Sequence, residues 1–178
     1  MKIKLWIPIG ILLVAIIAGA FIYTYPHHLT FTMQGIMYQL GEENKDYVKP
    51  VAVSVNGKMK KSILGVRTFT GVIDIEGEDI PVPSENRKLE LRFSENGEAQ
   101  LLYRYIINGN IKHFSYGIIF INDDSNKIAI MKYQATPNGR GWNGGDGYMI
   151  STPAQNRDEA LEISNELLDD FYTRFTLK

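Results

Sequence analysis

Residues 99–121 read AQLLYRYIINGNIKHFSYGIIFI, two apolar runs on either side of Asn108-Gly109. Asn-Gly is the strongest short signal for a hairpin, because a type I′ turn needs positive φ at both central residues. The first run is apolar on both faces, which is typical of a strand inside a sheet. One face of the second run carries Phe114, Tyr116, Ile118 and Phe120. The stretch therefore predicts a central β-hairpin.

Short β-patterned runs separated by turn signals continue on both sides of this hairpin. They cover residues 51–55, 69–75, 89–93, 127–133 and 148–151. Asn56-Gly57 predicts another hairpin turn, and the two prolines of residues 80–83 predict an edge strand or a loop. Turns at intervals of roughly 8–12 residues are typical of an antiparallel meander that closes into a barrel or curls into a sandwich.

A helix is predicted at the C-terminal end of the chain. Asn156 is a suitable N-cap, with Glu159 at the third helical position. One face of the following segment is apolar and consists of Ala160, Ile163, Leu167, Leu168 and Phe171. This pattern predicts an amphipathic helix packed on the sheet.

Residues 137–147 contain five glycines among eleven residues, which predicts a long flexible loop. Loops carry binding residues more often than regular elements do. Trp142 is the candidate anchor for a ligand or partner, with Arg140 and Tyr148 beside it in sequence. The alternative is that Trp142 folds back and covers the sheet.

The N-terminal segment is compositionally unlike the rest of the 178 residues. Residues 5–25 are 21 residues without a charge, long enough to cross a bilayer as a helix. Lys2 and Lys4 precede them, which predicts a cytoplasmic N-terminus and an extracytoplasmic domain. The predicted divisions are a cytoplasmic tip (1–4), a transmembrane signal-anchor helix (5–25), a juxtamembrane connector (26–46) and a β-rich domain (47–178). The alternative is a signal peptide cleaved after Ala20, giving a secreted protein.

Composition argues against several classes of function. The chain has no cysteine, which excludes disulfides, thiolate metal sites and a cysteine nucleophile. Its 19 basic and 20 acidic residues nearly balance, and the one short basic cluster, Lys58, Lys60 and Lys61, has no interleaved aromatic residues. Nucleic acid is therefore not an expected partner. The three histidines have no metal-ligand spacing, so neither a metal nor a cofactor is expected.

Three phrases carry a resemblance to known proteins. They are FTGVIDIEGEDIPVP (69–83), GIIFINDD (117–124) and GYMISTPAQNRDEALEISNELL (147–168). With the overall layout, they resemble the uncharacterised small membrane-anchored extracytoplasmic proteins of low-GC Gram-positive bacteria. The resemblance covers most of the chain after Val48 and implies that the protein is located outside the cytoplasm. It brings no known activity and no functional residues.

The predicted fold class is α+β and mostly β. It is an antiparallel meander of about seven strands, barrel-like or a strongly curved sheet, with one packed C-terminal helix and a transmembrane helix before it. The function expected is a membrane-anchored, non-catalytic binding or accessory module that meets an envelope protein or a small apolar ligand. Two alternatives stay open: an envelope enzyme using carboxylates that cannot be paired from sequence, and an inhibitor or regulator of an envelope partner.

Overall fold

A computed structural model describes residues 6–137, 139–169 and 176–178. Helix α1 (Trp6–Thr24) comes first and helix α2 (Arg157–Leu168) follows the last strand. Ten strands lie between them: β1 (His27–Gln39), β2 (Val48–Lys61), β3 (Arg67–Ile75), β4 (Leu89–Arg92), β5 (Glu98–Ile107), β6 (Asn110–Ile121), β7 (Ile128–Lys132), β8 (Gln134–Thr136), β9 (Gly139–Gly141) and β10 (Tyr148–Thr152). Two short 3-10 helices cover Glu42–Asn44 and Ser84–Asn86.

Eight strands form one nearly closed antiparallel sheet in the order β4-β3-β2-β1-β10-β7-β6-β5. The first and last strands of this order, β4 and β5, lie beside each other and leave a seam. Strands β8 and β9 form a separate small hairpin. The predicted mostly-β antiparallel meander with one C-terminal helix is confirmed, with eight strands in the main sheet where about seven were predicted.

The interior of the sheet is filled with apolar side chains. Alternate residues of each strand point inward, as Val51, Val53 and Val55 do in β2. Large side chains such as Phe69 and Tyr103 are almost completely buried among them. A closed sheet of about eight strands has an interior just wide enough for its own side chains, and this core fills it.

A second core lies between the outer surface of the sheet and α2. It joins Ala160 and Ile163 of the helix to residues of β1, β7 and β10. The predicted cap is confirmed, since the Asn156 side chain accepts a hydrogen bond from the Glu159 N–H at 3.0 Å. Phe171, the last residue of the predicted apolar face, lies outside the described residues.

The segment 26–46 differs from the predicted connector, because it contains β1, a central strand paired with β2 and β10. The order of apolar and polar residues in this segment does not indicate a strand, and the reason is physical. Residues 35–38 are buried on both faces, against the interior and against α2, whereas the first half of the strand is largely exposed. No single period describes both halves.

The hairpin turn predicted at Asn56-Gly57 is wrong, because β2 continues through both residues. Gly57 meets Gly71 of β3, and a Cβ atom there would lie 2.6 Å from the Phe69 ring. Glycine serves here for close strand packing instead of a turn. By contrast, the turn predicted at Asn108-Gly109 is confirmed, with φ of 51° and 75°.

Helix α1 precedes the sheet, and its side chains from Pro8 to Gly19 are exposed. In the described part of the chain, no helix has both the length and the apolar character that crossing a membrane requires. The transmembrane helix predicted over residues 5–25 therefore has no support there.

Candidate functional site

The seam between β4 and β5 is the candidate site. These strands are consecutive and antiparallel, yet no hydrogen-bonded ladder joins them among the described residues. Each end of their connecting turn bonds to the strand on its other side. The Phe93 N–H donates to the Arg67 carbonyl at 3.0 Å, and the Ile121 N–H donates to the Gly97 carbonyl at 3.0 Å. Within this one turn, the hydrogen-bonding partner of the chain thus changes from β3 to β6.

The segment before β4 lies against the upper part of β5 without pairing with it as a strand, and the Tyr105 hydroxyl of β5 donates to the Pro81 carbonyl at 3.4 Å. Ile80 and Val82 are buried in the interior core, and the Arg87 guanidinium donates to both of their carbonyls at 2.9 Å. This pinned, proline-containing segment cannot extend β4 as a strand. As a result β4 has four residues while β5 has ten.

A groove runs along the outside of the seam and is rich in positive charge. Its upper part is lined by Lys88, Arg92 and Arg104 with a single carboxylate, Glu90, and by Thr68, Leu91, Gln100 and Leu102. None of the three cations forms an ion pair with another described residue. Their charge is therefore available to a ligand.

The groove continues along β5 toward β6. The lower part is lined by Arg92, Phe93, Ser94, Glu98, Ala99, Gln100, Ile118 and Tyr133. The Glu98 carboxylate there accepts a hydrogen bond from the Ser94 hydroxyl. The upper part of the groove thus carries positive charge, and the lower part is close to neutral.

The groove offers main-chain hydrogen bonds and positive charge. An edge strand presents unpaired N–H and C=O groups that can pair with another extended chain. Among the described residues no group of three or more His, Cys, Asp and Glu side chains could hold a metal ion. The arrangement is suited to binding a strand, and the enzyme and inhibitor alternatives stay predictions.

Two of the residues predicted from the glycine-rich segment, Trp142 and Tyr148, lie together. The Trp142 ring N–H donates to the Tyr148 carbonyl at 3.1 Å, and the indole packs against the outer core. Trp142 thus folds back toward the sheet, the alternative noted from sequence. The Tyr148 ring meets that of Tyr47 edge-on, with the ring centroids 5.0 Å apart.

The contacts of Arg140 are with Ser115, Tyr133 and Phe114. Arg140 lies on the short β8–β9 hairpin, part of the segment predicted as a flexible loop. Its guanidinium donates to the carbonyls of Ser115 and Tyr133 and lies 4.7 Å from the Phe114 ring centroid. These contacts fix the hairpin on β6. A partner role for Trp142, Arg140 and Tyr148 stays a prediction.

A polar cluster lies at the end of the sheet away from α1. Glu78 accepts from the Lys132 ammonium at 2.6 Å and from the Tyr116 hydroxyl at 3.0 Å. Burial raises the pKa of Tyr116 far above its usual range, and the nearby Glu78 carboxylate raises it further. Tyr116 therefore stays protonated and donates to Glu78, which ties the turn after β3 to β6 and β7.

The sequence predicts one part of the seam and not the rest. The prolines at 81 and 83 correctly limit residues 80–83 to an edge or loop. No sequence signal shows that β4 and β5 fail to pair, because that depends on which neighbour each strand chooses.

No family model, curated protein or solved structure matches this chain. Its function is therefore inferred from the geometry of the chain itself.

Proposed function

We propose that this protein is a membrane-attached, extracytoplasmic, non-catalytic binding module. Its seam receives an extended acidic segment of an envelope protein, which pairs with the free edge of β5. The observation that carries this proposal is the seam between two consecutive antiparallel strands. Within the part of the chain that the structure describes, no hydrogen-bonded ladder joins them, and the three cations that border the seam form no ion pair.

The length of β5 suits strand addition. Its ten residues span about 33 Å, at about 3.3 Å per residue, and the Glu98 carbonyl at its start already accepts from the Ser94 N–H at 3.0 Å. Peptides that bind by strand addition gain affinity from main-chain hydrogen bonds and specificity from alternate side chains. The partner segment needs extended backbone and a free N–H at alternate positions.

The outward side chains of the seam favour an acidic partner. Gln100, Leu102 and Arg104 alternate along the outer face of β5 and line the groove with Lys88 and Arg92 of the opposite edge. A segment that alternates carboxylates with apolar residues would meet the cations on one face. The same charges also keep the free edge from pairing with a second copy of itself.

The filled interior favours a partner that binds outside the sheet. Phe69, Tyr103, Tyr116 and Leu101 occupy the space in which a small apolar ligand would lie. Of the two partners predicted from sequence, an envelope protein is therefore the one we propose.

Membrane attachment through the N-terminal segment is the second part of the proposal. The proposed anchor, residues 5–25, begins one residue before α1. Ile11, Val14 and Ile17 of α1 are each at least 60 % exposed. The helix therefore presents apolar surface whose exposure to water is unfavourable. Lys2 and Lys4 support an orientation with the domain outside the cytoplasm.

Strand addition is tested with the full chain and synthetic peptides. The probe is a short peptide of alternating aspartate and valine. One control peptide replaces aspartate by lysine, and another keeps the acidic sequence but carries N-methyl groups on alternate amides. Binding is followed by isothermal titration, and hydrogen–deuterium exchange reports protection along β5.

The acidic peptide should bind and slow amide exchange in β5, whereas neither control peptide should do so. Arg92→Glu combined with Arg104→Glu should weaken binding about tenfold, because surface charge pairs contribute up to about 1 kcal/mol each. Equal binding of the N-methylated peptide would contradict strand addition. Protection confined to strands other than β5 would place the site elsewhere.

A further inference from the structure

The turn between β2 and β3, residues 62–66, lies beside the end of α1. β1 begins at His27, shortly after α1 ends at Thr24, and β2 runs antiparallel to it with Met59 opposite His27. The last residues of β2 therefore extend back past the start of β1 toward the helix. The Lys61 ammonium lies 5.4 Å from the centroid of the Tyr23 ring in α1.

This turn presents two large apolar side chains on a well-defined backbone. Ile63 is 75 % exposed and Leu64 is 90 % exposed, the latter more than any other large hydrophobic residue described. Ser62 holds the turn at both ends, since its N–H donates to the Val66 carbonyl at 2.9 Å and its hydroxyl accepts from the Val66 N–H at 3.1 Å. The two side chains are thus displayed by a turn that is already ordered.

Lysines of β2 lie next to the apolar tip. Lys58 and Lys60 are exposed on β2, and Lys61 follows them. Acidic residues at the same end of the sheet are Glu95, Glu98, Asp123 and Asp124. Asp123 is paired with Arg67 at 3.3 Å, and the Glu98 carboxylate accepts a hydrogen bond from the Ser94 hydroxyl. The three lysines all lie on β2, the strand that leads into the turn.

We propose that residues 62–66 form a second membrane contact, in which Ile63 and Leu64 enter the interface of an anionic bilayer while Lys58, Lys60 and Lys61 meet its headgroups. This inference rests on the proposed membrane attachment through α1. Apolar side chains flanked by lysines are the combination that binds anionic lipid interfaces. Because the turn lies beside the end of the anchor, it is brought to the surface of the same bilayer.

The test uses spin labels, because a chain without cysteine accepts one label at a chosen position. The Leu64→Cys and Ile111→Cys variants of the full chain are labelled with a nitroxide. Ile111, at the tip of the β5–β6 hairpin, is 69 % exposed and serves as the matched control at the opposite end. Both are mixed with vesicles of phosphatidylcholine alone or of phosphatidylcholine with an equal part of phosphatidylglycerol.

Power-saturation spectroscopy then measures the accessibility of each label to oxygen, which enters lipid, and to a nickel chelate, which stays in water. The oxygen-to-nickel ratio at position 64 should exceed that at position 111 several-fold in the anionic vesicles. Lys58→Gln, Lys60→Gln and Lys61→Gln together should reduce that difference, whereas Lys112→Gln on the distal hairpin should not change it.

Vesicle flotation of the same samples separates the two proposals. If the chain floats with vesicles but position 64 is as water-accessible as position 111, the turn is not a membrane contact and the proposed anchor stands. If the chain does not float with either vesicle, membrane attachment fails and the second contact fails with it.

Discussion

Buried tyrosines should make the fold sensitive to alkaline pH. Burial raises the pKa of Tyr38 to about 12 from 10.0, against the opposing effect of hydrogen bonds with Ser164 and Ser151. Burial also raises the pKa of Tyr103 to about 12, and the Asp74 carboxylate adds to this. In each case the folded protein keeps the proton at a pH where the unfolded chain has begun to lose it.

The direction and size of the effect follow from linkage. A folded-state pKa above the unfolded value gives stability that is complete below about pH 10 and is lost as the pH rises toward about 12. At about pH 11 the difference between pKa values of about 10 and 12 corresponds to a loss of about 1.4 kcal/mol for each tyrosine. Tyr38 and Tyr103 together should therefore cost about 3 kcal/mol.

Urea unfolding of the full chain in mild detergent, at about pH 8 and about pH 11, measures this loss. Tyr103→Phe should lose about 1.4 kcal/mol less between the two pH values than the unchanged protein does. Ile73→Val is the control. It removes a buried methyl group at a cost of about 1 kcal/mol and should leave the pH dependence unchanged.

An unchanged pH dependence in Tyr103→Phe would refute this reasoning. It would mean that the Tyr103 hydroxyl reaches water in the folded protein and ionises there as it does in the unfolded chain. A reduced pH dependence in Ile73→Val would instead show that the two-state treatment fails.

Three further substitutions test the packing. Ser164→Ala should lower the free energy of unfolding by about 1–3 kcal/mol, because it leaves the buried hydroxyls of Tyr38 and Ser151 without their shared partner, and urea unfolding measures this. Asn156→Ala should cost about 1 kcal/mol through loss of the helix cap, with faster amide exchange in the first turn of α2. Gly117→Ala should prevent native folding, seen as lost near-ultraviolet circular dichroism, since its Cβ would collide with the Met131 carbonyl oxygen of β7. Native behaviour of any one of these would contradict the packing described at that position.

Local signals predicted the elements whose chemistry is complete within a few residues. Asn108-Gly109 forms the predicted turn, and Asn156 with Glu159 forms the predicted cap. The strand at Tyr148–Thr152 follows the predicted run of residues 148–151 closely. The turn and the cap depend on neighbours in the sequence alone, whereas the strand also needs its partners β1 and β7.

Features that depend on distant neighbours could not be predicted in this way. Asn56-Gly57 has the same residue types as Asn108-Gly109, yet Gly57 lies inside a strand that pairs with both β1 and β3. β1 was hidden because its second half is covered on both faces, once by the interior and once by α2.

The seam illustrates the same limit for the candidate site. Lys88, Arg92 and Arg104 look like ordinary exposed strand residues in the sequence, and they become a set only because β4 and β5 adjoin without pairing. The composition of the glycine-rich segment, residues 137–147, predicts a flexible loop that presents Trp142, but the Trp142 ring N–H donates to the Tyr148 carbonyl within the fold.

Site-specific photo-crosslinking in living cells that make the protein tests the proposed binding site most directly. A photoreactive amino acid replaces Gln100, which is exposed in the seam, or Glu162, which is exposed on α2 as the control. Position 100 should give a crosslink to an envelope protein that is lost on combining Arg92→Glu with Arg104→Glu, while position 162 should give none. Equal crosslinking at both positions, or a crosslink at position 100 that survives the charge reversal, would contradict a seam that binds an acidic strand.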